Sequence, residues 1–159
     1  MATLKNRIVD TARALFISPE VAAALAIGSL ALFFPTISRV VGSKVLTAEL
    51  GLLTTLQSAP VVLTVATWYL GKDLLNPNEQ QRKELVGWSQ YWRLVLRIRI
   101  ALIWGVIGIM FTAIGIVAAL AGRPRMTIAA IAIGIAIAAV GTVTTALAAM
   151  TSKDILDGA

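Results

Sequence analysis

From Ile100 to Ser152 the chain carries charge at only two positions, Arg123 and Arg125. Little can be built from so long an uncharged, apolar run except membrane spans. A hydrocarbon core about 30 Å thick is crossed by roughly 20 helical residues rising 1.5 Å each, and the run holds two segments of that length. Lipid offers no partners to peptide groups, so each segment must close its hydrogen bonds within itself, as a helix does. Of the 159 residues 58% are hydrophobic and 14% charged, against roughly 25% charged in soluble domains. One core of this size cannot hide that much apolar surface. The expectation is an all-α polytopic membrane protein in a single domain.

Four stretches have the required length: 19–41, 45–70, 98–121 and 126–150. The first opens on Ser18-Pro19-Glu20, a capping hydroxyl, a proline at the first helical position and an acid in the first turn. It then runs across Pro35. Gly71-Lys72-Asp73 reads as the end of the second, and Gly122-Arg123-Pro124-Arg125 as a tight turn between the last two.

Basic residues set the orientation. One side holds Lys5, Arg7, Arg13, Lys72, Arg82, Lys83, Arg93, Arg97, Arg99 and Lys153; the other holds Arg39, Lys44, Arg123 and Arg125. The bias puts both termini and the 73–97 connector in the cytoplasm, in a multi-pass protein of the cell inner (plasma) membrane. Trp68, Tyr69, Trp88, Tyr91 and Trp92 supply an aromatic belt on that side. The first 17 residues carry Lys5, Arg7, Asp10 and Arg13 without an apolar run, which does not read as a cleavable signal.

Two further elements are expected at the cytoplasmic surface. Residues 3–17 form an amphipathic helix, with Leu4, Ile8, Ala12 and Leu15 opposite Asn6, Arg7, Asp10 and Arg13, suited to the headgroup layer. The connector 73–97 reads as helix from Glu79, with Leu85, Trp88, Trp92 and Val95 on one stripe and Arg82, Gln90, Arg93 and Arg97 on another. It can continue without a strong break, Gly87 apart, to Ala121. Arg82, Lys83, Trp88, Trp92, Arg93 and Arg97 are therefore the residues expected to meet anionic lipid headgroups or a cytosolic partner. The positive-inside bias already explains the net charge of +6, so no nucleic acid is implied.

The third stretch repeats small residues at Ala101, Gly105, Gly108, Thr112, Gly115, Ala119 and Gly122, a heptad seam. The fourth answers with Ala130, Gly134, Ala138, Gly141, Thr145 and Ala148. Small residues let backbones approach closely where lipid removes any hydrophobic drive between helices. The short turn makes these two helices antiparallel neighbours. Small residues also surround much of the fourth stretch, which suggests contact with a second partner and hence a homo-oligomer.

The second stretch collects Thr47, Thr54, Gln57, Ser58 and Thr64 on one face, with Pro60 freeing the carbonyl of Leu56. Polar groups at that depth meet protein or water. Either they bond to their own and neighbouring helices or they line a pore or hinge. Glu49, beside Lys44 and Arg39 at the outer edge, reads as an ion-pair partner. Cysteine and histidine are absent, which removes disulfides, Cys/His metal sites, imidazole-ligated haem and His-based nucleophiles. No span holds two carboxylates for acid/base work. No catalytic residue, metal or cofactor is expected. The sequence favours a non-enzymatic four-span subunit or scaffold of a larger membrane complex that engages a cytosolic partner, with an oligomeric channel or holin-like pore as the other option.

Overall fold

The computed structural model describes residues 4–47, 50–78 and 91–157. They form α1 (Leu4–Phe16), α2 (Pro19–Phe33), α3 (Pro35–Thr47), α4 (Leu50–Leu75), α5 (Tyr91–Leu120) and α6 (Pro124–Asp157), with no strand among the described residues. Among the described residues, three helical segments are long and apolar enough to cross a bilayer: Thr11–Ala31, Tyr91–Leu120 and Pro124–Lys153. The lateral surface matches that medium. Leu25, Val62, Val65, Ile103, Met110 and Val117 are each more than half exposed, a ring of apolar side chains that water would not tolerate in a dispersed monomer.

Helix α6 occupies the centre. α2, α3, α4 and α5 all pack on it, and Ala130, Ile131, Ile137, Ala138 and Ala148 are buried. The tightest contact is with α5. A Cβ placed on Gly108 would stand 2.7 Å from the carbonyl oxygen of Gly134, and one placed on Gly134 would strike the Gly108 carbonyl. Towards one end Gly115 faces Thr127 and Ile131; towards the other Ala101 faces Gly141. Each step along α5 is matched by an equal step back along α6, so the helices are antiparallel in one continuous register. Gly122 closes the turn at φ 65°, a left-handed position that glycine takes without strain. Its N–H donates to Ala119 O and that of Arg123 to Ala118 O, both at 2.9 Å, the Schellman arrangement of a helix end. Pro124 then starts α6.

The seam differs in detail from the heptad pattern. Gly105 turns toward α4, where its hydrogen would be replaced by a clash with Thr64 Oγ1. Ala118 rather than Ala119 is buried, and Gly122 is spent on the turn. The strict 3.5-residue repeat drifts on a helix of 3.6 residues per turn, and the tight turn takes over its last position.

The stretch 19–41 is two helices. Pro35 has no N–H for the carbonyl of Ala31, and Phe34 leaves the helical region (φ −115°, ψ 64°). Ser38 Oγ repairs the break, donating to Pro35 O at 3.1 Å and to Ala31 O at 3.4 Å. Both pieces stay on α6: Gly28 meets Ile133, and Gly42 lies against the backbone of Pro124. Gly71-Lys72-Asp73 does not stop α4, which continues to Leu75. Gly71 is there for close approach, since a Cβ would lie 2.6 Å from Ile98 Cγ2. The connector residues Arg82, Lys83 and Trp88 lie outside the described residues, as does Glu49.

Gly134→Leu is expected to destabilise the bundle by about 1–3 kcal/mol or more through overpacking, while Ala113→Leu, on an exposed site of α5, leaves it unchanged. Thermal unfolding in mild detergent distinguishes the two.

Candidate functional site at the basic end of the bundle

Chain direction brings Arg13, Lys72, Arg93, Arg97, Arg99 and Lys153 to the same end of the bundle, because α2 starts, α4 ends, α5 starts and α6 ends there. Ser18 caps α2, its Oγ accepting from Val21 N at 3.4 Å, and the cap aims the first turn inward. Glu20 is thereby fully buried. Arg97 Nη2 donates to Glu20 Oε1 at 2.5 Å and to Thr144 Oγ1 at 3.3 Å, so one guanidinium ties α2, α5 and α6 together. The second carboxylate oxygen, Glu20 Oε2, is buried with no hydrogen-bond partner among the described residues. Desolvating an ion pair costs several kcal/mol per ion before attraction offsets it. The pair therefore fixes one arrangement of three helices more than it adds net stability.

Two further bonds organise this end. Trp104 Nε1 donates to Leu15 O at 3.3 Å, joining the end of α1 to α5. Tyr91 OH donates to Leu74 O at 2.8 Å, joining the start of α5 to the end of α4. Lys72 Nζ sits 4.2 Å from the centre of the Tyr69 ring, within cation–π range. Between α1 and α5 these contacts leave a cleft of about 340 Å³ lined by Arg13, Ile17, Trp92, Arg93, Leu96 and Arg97. Of the residues expected at a headgroup or partner surface, Trp92, Arg93 and Arg97 thus share one cleft. Arg97 is also a bundle strut, with only 22% of its side chain exposed.

The polar face of α4 splits in two. Thr54, Gln57 and Ser58 are exposed on its outer side, whereas Pro60 is buried and Thr64 half-buried against α5. Ser58 Oγ and Thr64 Oγ1 donate back to Thr55 O (2.9 Å) and Pro60 O (2.7 Å). Deeper along the helix, Thr67 and Thr142 hydroxyls meet at 3.0 Å, and Thr142 Oγ1 lies 2.9 Å from Leu63 O, bonding α4 to α6. The side chain of Thr47 is outside the described set.

Comparison with protein-family models, with curated proteins and with solved structures finds no match. The site therefore rests on its own geometry.

A second, larger cavity of about 440 Å³ opens where α2 breaks, between Phe34, Ile37, Val41, Ile128 and Ala132, with Ser38 as its polar member. It carries no titratable group. The Glu20–Arg97 pair is not legible in the sequence, because nothing local links residues so far apart. The usable signal is Arg97 itself, an arginine flanked by Val95, Leu96, Ile98 and Ile100 with no acid within Tyr91–Leu120.

Glu20→Ala strands a mostly buried guanidinium and is expected to cost about 3–5 kcal/mol. Adding Arg97→Met to that variant should recover a large part of the loss. Chemical denaturation in detergent micelles measures both.

Proposed function

We propose that the chain is a four-span, non-enzymatic subunit or scaffold of an oligomeric membrane complex, engaging a cytosolic partner through its basic-aromatic cytoplasmic face. It sits in the cell inner (plasma) membrane with both termini inside. The observation that carries this reading is the asymmetry of the bundle. An arginine- and tryptophan-lined cleft lies at one end, while the interior is filled by α5–α6 backbone contact. Such an object presents a surface and does not conduct through itself.

Two features support four spans. Together α2 and α3 accompany α6 along its length, from Thr144 to Pro124. Helix α4, with 26 residues, is about 39 Å long at 1.5 Å per residue and runs parallel to α6 through the Thr67–Thr142 level. By the positive-inside bias the cleft belongs to the cytoplasmic side of the membrane, as does the segment 79–90 that precedes α5 in sequence, with Arg82, Lys83 and Trp88.

Oligomerisation shifts from the fourth span to the second. α6 is already surrounded by four helices of its own chain, so its small residues are used internally. Gln57 instead lies on the outer face of α4, seven residues and about 10 Å beyond the Thr64–Gly105 contact. A carboxamide at that depth is costly against lipid and pairs well with another helix. The exposure of Thr54, Gln57 and Ser58 also favours the second reading, a pore formed between copies rather than inside one.

Single cysteines in this cysteine-free chain test the topology. Ser89→Cys should be labelled by an impermeant maleimide only after membrane lysis, and Arg123→Cys in intact cells. Deletion of residues 79–90 should abolish co-purification of cytosolic partners without releasing the protein from the membrane; unchanged co-purification contradicts the scaffold reading. Gln57→Leu should shift the native mass in mild detergent toward the monomer. Ion flux through reconstituted wild type, lost in Gln57→Leu, would favour the pore.

A further inference from the structure

We propose that the cleft between α1 and α5 is a binding site for one acidic phospholipid, its headgroup phosphate held by Arg13 and Arg93 and an acyl chain laid over Ile17 and Leu96. The inference rests on the membrane reading above and specifies a ligand for the same end of the bundle.

Charge is the first support. Three guanidiniums line the cleft, and the described acid against it, Glu20, bonds Arg97 from inside the bundle. Arg13 and Arg93 stay exposed, and no ion pair is formed by either among the described residues. An anion entering here meets two guanidiniums able to grip phosphate oxygens, each in a two-pronged fashion.

Depth is the second. The uncharged run from Ile100 to Gly122 is 23 residues, about 35 Å as helix at 1.5 Å per residue, enough for a hydrocarbon core about 30 Å thick. Trp92, Arg93, Leu96 and Arg97 lie just before that run. The cleft therefore straddles the boundary where a phosphate gives way to acyl chain. Trp92 belongs at that level.

Shape is the third. The walls are amphipathic: Ile17, at 75% exposed, forms an apolar lip just past the end of α1, and Leu96 is a buried wall on α5. Free phosphate would use the arginines and leave this lip idle; a phospholipid uses both. A lipid seated here would hold the end of α1 against α5, beside the hydrogen bond from Trp104 to Leu15.

The test uses full-length protein in phosphatidylcholine nanodiscs containing 20 mol% (about one lipid in five) phosphatidylglycerol, ejected and weighed by native mass spectrometry. Wild type should retain about one phosphatidylglycerol in preference to phosphatidylcholine. Arg13→Gln/Arg93→Gln should lose it roughly tenfold or more, as expected for two basic groups near an anionic surface. Lys72→Gln/Lys153→Gln removes the same charge from the same end and should retain the lipid. Equal loss in both double variants would mean diffuse attraction and overturn the site. So would competition by millimolar inorganic phosphate, which marks a phosphate site, or displacement by an acidic peptide at constant lipid, which marks a protein-docking site. Helical circular dichroism and monodisperse elution check that the variants fold. Recovery of wild type without detergent would instead defeat the membrane reading itself.

Discussion

The backbone contact between Gly108 and Gly134 is the constraint on which the other packing depends. In lipid there is no hydrophobic gain from bringing helices together, so association relies on dispersion, hydrogen bonds and shape. Helices that set the Cα of each glycine against the carbonyl oxygen of the other bring many atom pairs into range at once. This contact sets the antiparallel register of α5 and α6 from Ala101 through Gly115, and α6 in turn is the surface on which α2, α3 and α4 are laid. A side chain at either glycine would push α5 away and shift every neighbour.

Around that axis, polar groups supply specificity where apolar packing is permissive. Threonine does this for α4, through the Thr67–Thr142–Leu63 bonds to α6. Ser38 lets the chain bend at Pro35 without abandoning a carbonyl in an apolar setting. The Glu20–Arg97–Thr144 cluster does it for α2, at the end where the chain enters the bundle. Such a buried pair tolerates few rearrangements, because any shift leaves an uncompensated charge. Helix α1 joins α5 through the Trp104–Leu15 hydrogen bond, beside the cleft that Arg13, Arg93 and Arg97 line.

Much of the architecture could be read from the chain because lipid imposes simple rules. Helicity, the start at Ser18-Pro19-Glu20, the Gly122 turn and the small-residue faces of the last two helices follow from hydropathy, capping chemistry and side-chain size. What could not be read depends on three-dimensional choice. Gly71 looks like a stop and is a point of helix contact; Pro35 looks passable and is a break. The polar side of α4 looks like one face but divides, because Pro60 and Thr64 pack inward while Gln57 does not. At the candidate site, the aromatic-basic stripe carrying Trp92, Arg93 and Arg97 was visible as a pattern. Its partner across the cleft, Arg13, was not, since it comes from a helix about eighty residues earlier.

The most direct measurement of the central contact is engineered cross-linking in intact membranes. A Cβ on Gly141 would stand 3.6 Å from that of Ala101, within the separation a disulfide spans, and the native chain has no cysteine to interfere. Mild oxidation of Ala101→Cys/Gly141→Cys should give a fast-migrating, internally bridged monomer in nearly all molecules. A predominantly dimeric product, or none, would contradict an intramolecular α5–α6 seam.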